Sequence, residues 1–158
     1  PYFGPTDAEL AEKNVMSIFL GYYFKWTPEH SYKIARKHGF TAAGTPRTGY
    51  YAYADIDDDF ISVHHWLKWY KFGFTRLWDN LSLEIRNGRM SRNEAIRIIA
   101  ERGEETPHGD IAKLCGFLDI PEDRFFEIIE PFRNNDIWSR HGGVWRIEDF
   151  LIPDWNWS

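Results

Sequence analysis

The chain has 158 residues, a formal net charge of −5 and a single cysteine, Cys115. That length suits one domain or two very small ones, and one cysteine excludes a disulfide framework and any zinc site built from cysteines. Net acidity argues against a nucleic-acid partner, and no apolar run approaches the ~20 residues of a membrane span. Aromatic residues form 18% and hydrophobic residues 43% of the chain, which excludes disorder. The lone cysteine fits a reducing compartment and no signal peptide is recognised, so we expect a cytoplasmic protein.

Two helices and a loop are predicted before residue 60. Asp7 is placed to cap the first helix, whose apolar spacing continues to Tyr22. Thr27 is placed to cap the second helix, with Pro28 at its first position. Residues 40–59 have no helical period and run into four aspartates, two of which we expect to cap the next helix.

Residues 60–86 predict one long helix at the centre of the domain. Apolar side chains follow one face at about 100° per residue, and a second, mostly aromatic row lies about 180° away. A helix that is apolar on two sides is expected to be covered on two sides. Gly73 could break this helix or let another backbone approach it. Between the two rows lies a polar stripe: His64, Lys68, Lys71, Thr75, Asp79, Ser82 and Arg86.

Three shorter helices and an irregular tail are predicted after the central helix. Ser91 and Glu94 have the spacing of a capping box, and Pro107 and Pro121 mark the starts of two more helices. The tail is rich in turn residues and tryptophan, and we expect it to wrap the surface. The prediction is a mainly α protein, a single compact domain over residues 1–158 with about six helices.

The polar stripe of the central helix is the main candidate for a binding site. Charges confined between apolar walls need partners, either from the protein or from a ligand. The cations there suit a phosphate or a sugar carboxylate, to which arginine offers a bidentate fork. An internal salt-bridge network explains the same residues equally well, for instance Asp79 paired with Lys71, Arg76 or Arg86.

Other known kinds of site have weaker support in the sequence. Asp57 and Asp58 could offer carboxylate oxygens to Mg²⁺, although a solvated, helix-capping acidic loop is the favoured interpretation. The adjacent His64 and His65 point about 100° apart on a helix and form no metal motif. The chain has no phosphate-binding P-loop, GxGxxG, HExxH or serine nucleophile elbow.

Four segments carry a family resemblance: YYFKWTPEHSYKIARKHGF, DIDD, HHWLKWYKFGFTRLWDNLSLEIRNGRMSRNEAI and FLDIPEDRFFEIIEPFR. They resemble the C-terminal region of the N-acetyl sugar amidotransferases. This is a family of PP-loop ATP-pyrophosphatase enzymes of lipopolysaccharide and glycan biosynthesis. The resemblance covers about residues 14–146, and its most specific part is the block that begins KFGFTR.

The resemblance implies a chemistry. Members of the family use ATP to activate the acetamido carbonyl of a nucleotide-linked N-acetyl sugar. Ammonia then displaces the activated oxygen and leaves an amidine. Separate glutaminase and synthase subunits supply that ammonia from glutamine. The full-length enzyme would therefore need ATP and Mg²⁺, with positive charge near the developing phosphates.

One departure from the family limits what this chain is expected to do. The SGGxDS phosphate loop of PP-loop enzymes is absent from the 158 residues. We therefore expect the C-terminal part of a larger enzyme that lacks its N-terminal PP-loop domain, inactive alone and without a tightly bound cofactor.

The family-like block implies the location of a substrate site formed by Lys71, Arg76, Asp79, Ser82 and Arg86. Behind them we expect Asp57, Asp58, His64 and His65. A helical module that docks a partner subunit, without a ligand site of its own, is the alternative function. A third possibility, a tRNA-modifying relative, conflicts with the net charge of −5.

Overall fold

A computed structural model describes residues 4–157 and is mainly helical. These residues contain eight α-helices, one short 3-10 turn and one two-stranded sheet, which confirms the predicted fold class. They fall into two compact units, which divide between Phe40 and Thr41.

The first unit contains three short helices: α1 (Asp7–Glu12), α2 (Leu20–Tyr23) and α3 (Pro28–Lys37). The cap of α1 is Thr6 rather than Asp7, and Thr6 forms a capping box with Glu9. The helix predicted to continue to Tyr22 is interrupted after α1, where Asn14 adopts a left-handed backbone with φ of 54°. The cap of α3 is as predicted, because the Thr27 hydroxyl accepts a hydrogen bond from the His30 N–H at 3.2 Å.

The predicted long central helix is wrong, because the structure contains two helices there, α4 (Ile61–Phe72) and α5 (Arg76–Arg86). Gly73 ends α4 in the left-handed conformation with φ of 69°. A Cβ atom at Gly73 would lie 2.5 Å from Cδ1 of Ile147. The position therefore needs glycine both for its backbone conformation and for the close approach of another side chain.

The rest of the second unit contains α6 (Arg92–Arg102), α7 (His108–Leu118), α8 (Glu122–Ile129), a 3-10 turn (Glu130–Phe132), β1 (Trp138–His141) and β2 (Val144–Ile147). The Ser91 hydroxyl caps α6 by accepting from the Glu94 N–H at 3.2 Å, which is one half of the predicted capping box. The tail, predicted to be irregular, contains an antiparallel hairpin that pairs Trp138 with Ile147. Gly142 and Gly143 both have positive φ and form its two-residue turn.

Two apolar clusters form the core of the second unit, and α4 and α5 each anchor one of them. The α4 cluster packs Val63, Trp66, Trp69 and Tyr70 against α7, α8 and β1. The α5 cluster packs Leu77 and Leu81 against α6 and Ile152. Phe150 and Trp155 of the tail pack against both clusters. The pair α4–α5 is thus central to this unit, as the two apolar rows predicted.

Trp69 joins the tail to the α4 cluster through its indole ring. Its ring centroid lies 5.0 Å from that of Trp138, 5.5 Å from that of Trp155 and 6.4 Å from that of Trp157. Aromatic pairs at these separations stabilise a core beyond the apolar area that they bury. The last described residues of the chain therefore belong to the core and do not only wrap the surface.

Candidate functional site

Charged side chains meet where α4 and α5 adjoin the loop at residues 41–59. We name this group the junction cluster: Asp55, His65, Lys68, Arg76 and Asp79. Arg76 Nε donates to Asp55 Oδ2 at 3.4 Å, and Arg76 Nη1 lies 4.0 Å from Asp79 Oδ2. The same oxygen of Asp79 pairs with Lys68 Nζ. Both cations of the cluster therefore have carboxylate partners within the protein.

The break at Gly73 creates this cluster. Lys68 and Asp79 are 11 residues apart in the chain. On a continuous helix, with a rise of 1.5 Å per residue, they would be separated by about 16 Å along the axis. The turn at Gly73 brings them into contact, and Asp55, which has a left-handed backbone with φ of 55°, joins them from the loop.

His65 lies at the buried side of the junction cluster. Its side chain is 12% exposed, and Nδ1 lies 3.9 Å from Asp55 Oδ2 without a hydrogen-bond partner among residues 4–157. Burial lowers the pKa of His65 below its ordinary value, against the opposing effect of Asp55. With His65 neutral, the two cations and two carboxylates of the cluster balance, so the cluster carries no excess positive charge.

The other residues predicted for the substrate site lie on the exposed surface. Lys71 has no ion pair or hydrogen bond within the part of the chain that the structure describes. Arg86 Nε donates to the backbone carbonyl of Ser82 at 3.4 Å, and the side chains of both residues are exposed. The ring of His64 lies against that of His65, with centroids 5.6 Å apart. The structure thus brings together His65, Arg76 and Asp79 of the predicted set.

The predicted salt-bridge network is present in part. Asp79 does approach Arg76, but its closer partner is Lys68, which belongs to the predicted stripe and was absent from the predicted site. Pairs of Asp79 with Lys71 or Arg86 do not occur among the described residues. Asp55, which the sequence placed only in an acidic run, completes the cluster.

The acidic run is used mainly to hold its own loop. Asp58 Oδ1 accepts from the Phe60 N–H at 2.6 Å, and Arg47 ties Asp59 to Asp110 at 3.1 and 3.2 Å. Asp57 and Asp58 are exposed. Within residues 4–157, no three His, Cys, Asp or Glu side chains converge in a way that would hold a metal ion.

An open groove of about 440 Å³ lies beside the junction cluster. Its walls are apolar, with four aromatic residues beside aliphatic ones: Phe72, Phe74, Trp78, Phe150, Ile137, Ile147 and Leu151. Its polar side chains are Asp79, Ser82 and Asp149. Asp79 belongs to both the groove and the junction cluster. Aromatic walls with a few placed polar groups are typical of small-molecule sites. Asp79 and Ser82 of the predicted site thus line a concave surface.

Two polar residues on the buried face of α5 hold the loop that carries Asp55. Asn80 Oδ1 accepts from the Tyr50 N–H at 2.9 Å, and Glu84 accepts from the Tyr51 hydroxyl. Arg89 also donates to Glu84 through two hydrogen bonds of 2.6 Å, which hold the pKa of Glu84 below its ordinary value. Sequence reasoning missed this pair. Its signal was two polar residues four positions apart on an otherwise apolar face.

Residues 16–151 match the family described as LPS biosynthesis protein WbpG-like, C-terminal domain. The chain belongs to this family. The match to the WbpG-like C-terminal domain includes every residue of the junction cluster and of the groove. It confirms the predicted relation to the C-terminal region of a lipopolysaccharide-biosynthesis family.

No curated protein matches the chain. None of the helices within residues 4–157 has both the length and the apolar character needed to cross a membrane.

Proposed function

We propose that this WbpG-like domain is the C-terminal part of an ATP-dependent N-acetyl sugar amidotransferase. In the proposed reaction, an acetamido group of a nucleotide-linked sugar becomes an amidine with ammonia derived from glutamine. The observation that carries the proposal is the aromatic groove that shares Asp79 with the junction cluster, in a chain of a lipopolysaccharide-biosynthesis family.

The groove suits the sugar part of such a substrate. The apolar face of a sugar ring packs well against aromatic walls, and its hydroxyl groups donate to carboxylates such as those of Asp79 and Asp149. The volume of about 440 Å³ lies in the range of ligand pockets. We therefore assign the sugar ring to the groove.

The phosphates of the substrate need cations that are not already paired. Lys68 and Arg76 are engaged with carboxylates, so they would have to exchange partners to bind an anion. Lys71 precedes the groove residue Phe72, and Arg86 binds the backbone of the groove residue Ser82. We assign the phosphate contacts to Lys71 and Arg86, while Arg76 holds Asp79, which the groove and the junction cluster share.

We propose that the described residues are not the ones that bind ATP and Mg²⁺. They contain no convergent group of metal ligands, and Asp57 and Asp58 lie on the surface. We therefore assign both cofactors to a preceding PP-loop domain of the same enzyme, and the supply of ammonia to separate glutaminase and synthase subunits. The proposed location is the cytoplasm, where ATP and nucleotide-linked sugars are available.

The test uses the longer polypeptide that contains both domains, with ammonia supplied directly. We expect AMP formation to depend on a nucleotide-linked N-acetyl sugar. Asp149→Asn removes an exposed groove carboxylate and should lower kcat/KM by about tenfold, the size of one lost hydrogen bond to a charged group. The matched control is Asp123→Asn, an exposed carboxylate on α8, which should change nothing. AMP formation that does not depend on the sugar would contradict the proposed reaction.

A docking module is the second candidate function, and the exposed apolar residues 15–26 favour it. A thermal-shift experiment separates the two candidates, because a ligand that binds the native state raises the melting temperature. A shift with a nucleotide-linked sugar supports the groove. No shift, together with tight binding to a glutaminase subunit, supports docking.

A further inference from the structure

The first unit presents an apolar surface on residues 15–26, which we name the apolar segment. Its side chains include Met16 at 81% exposure, Phe19 at 88% and Tyr22 at 86%. Phe24 and Trp26 are 68% and 62% exposed. Contiguous exposed apolar surface of this kind marks an interaction site in a folded protein.

The first unit does not use these residues for a core of its own. Neither α1 nor α2 contains a buried residue. The apolar segment also carries one charged residue, Lys25, among its twelve positions. A partner that binds by charge, or an anionic membrane surface, would call for several basic residues. The composition instead fits a surface that packs against another apolar protein surface.

The family assignment indicates which surface that is. The match to the WbpG-like family begins at Met16, so the apolar segment is the first part of the family domain itself. The family is a C-terminal domain, which in its parent proteins follows another part of the same polypeptide. A domain joined to the segment through a short stretch of chain has an effective concentration near it of the order of millimolar, far above that of a free partner.

We propose that the apolar segment is the surface against which the preceding domain of the same polypeptide packs. The inference rests on the proposed function only in taking this chain as the C-terminal part of a longer enzyme. It does not depend on the substrate or on the reaction.

Hydroxyl-radical footprinting with mass spectrometry tests this packing, because it reports the solvent exposure of individual side chains. The longer polypeptide and the 158-residue chain are compared at the same concentration. Oxidation of Met16, Phe19 and Tyr22 should slow by about tenfold in the longer polypeptide, as expected at the buried centre of an interface. Phe117 on α7, which is 74% exposed, is the internal control and should oxidise at the same rate in both.

Three results would overturn the proposal. Equal oxidation rates in the two proteins would show that the preceding domain does not cover the segment. Protection of the 158-residue chain that increases with its concentration would assign the surface to a second copy. Protection that requires added vesicles of anionic lipid would assign it to a membrane.

A variant and an activity measurement separate this inference from the proposed function. Phe19→Ser in the longer polypeptide should restore fast oxidation of Met16, whereas Phe117→Ser should not. Sugar-dependent AMP formation is measured on the same samples. Protection without that activity would support the interface and contradict the proposed reaction. Activity without protection would support the reaction and contradict the interface.

Discussion

Lys68 and Asp79 form an ion pair across the break between α4 and α5. The pair exists because Gly73 turns the chain with a left-handed backbone, and a Cβ atom at this position would clash with Ile147 of the hairpin. The candidate site therefore depends on one glycine and on a hairpin that is remote from it in sequence.

Gly73→Ala should destabilise the protein by about 2–4 kcal/mol. The change adds left-handed backbone strain of about 1–2 kcal/mol to a clash with Ile147. Gly88→Ala is the matched control, since Gly88 has φ of 70° but open space around its Cα atom. The control should lose about 1 kcal/mol, the cost of backbone strain alone. Urea unfolding measures both, and equal losses would show that the Ile147 contact does not matter.

The Lys68–Asp79 pair should show a coupling energy of about 1 kcal/mol in a double-mutant cycle of Lys68→Met and Asp79→Asn. The two side chains are only 24% and 33% exposed, so solvent screens the pair less than it screens a surface pair. The exposed pair Arg97–Glu101 on α6 provides the comparison, with an expected coupling of about 0.3 kcal/mol. Indistinguishable couplings would mean that the junction cluster is no more than surface charge.

His65 should make stability depend on pH just below its ordinary pKa of 6.5. Burial lowers the pKa of His65 in the folded protein, so the unfolded chain takes up a proton first as the pH falls. The contribution of neutral His65 to the free energy of unfolding is complete above pH 6.5 and is lost as the pH falls toward the pKa of His65 in the folded protein. Asp55 opposes the shift, while Arg76, His64 and Lys68 reinforce it.

His65→Gln should flatten this part of the stability profile, measured as the free energy of unfolding in urea at a series of pH values. His38→Gln, a change at an exposed residue after α3, serves as the control. The same decline in wild type and in His65→Gln would assign the pH dependence to other groups.

Tyr51→Phe should destabilise the second unit by about 1–2 kcal/mol, because the buried hydroxyl donates to Glu84. Glu84 keeps its two hydrogen bonds from Arg89, which limits the loss. Tyr50→Phe is the control in the same loop, since no partner of the Tyr50 hydroxyl is found in residues 4–157, and should change stability by less than about 0.5 kcal/mol. A Tyr51→Phe variant as stable as the control would show that the loop does not depend on this bond.

Lys71→Gln should leave the unfolding free energy within about 0.5 kcal/mol of wild type, since Lys71 is exposed. In the longer polypeptide it should raise KM for the nucleotide-linked sugar, because an unpaired cation near the groove would be lost. Lys37→Gln on α3 is a charge-matched control and should leave KM unchanged. An unchanged KM in Lys71→Gln would remove Lys71 from the proposed phosphate contacts.

The features that the sequence predicted correctly are local ones. The caps at Thr27 and Ser91 depend on residues three positions apart, and so does the approach of Arg76 to Asp79. Such contacts follow from helical geometry alone. The Gly142–Gly143 turn was also a local hairpin signal, but the abundance of tryptophan around it favoured an irregular tail.

The features that could not be predicted depend on contacts between distant parts of the chain. The pairing of Lys68 with Asp79 needs the break at Gly73, and the sequence allowed both a break and a continuous helix there. The groove needs Asp149 and Phe150 from the tail beside Trp78 of α5, and no periodicity specifies that packing. The balance of charge in the junction cluster follows from Asp55, whose position depends on the loop.

The contacts of Trp69 with Trp155 and Trp157 give the protein an optical property of its own. Indole rings held in fixed tertiary packing produce a near-ultraviolet circular dichroism signal, which is lost when that packing loosens. Detachment of the tail from α4 would therefore be visible without any added label. The dichroism band would fade while the helical far-ultraviolet signal persisted.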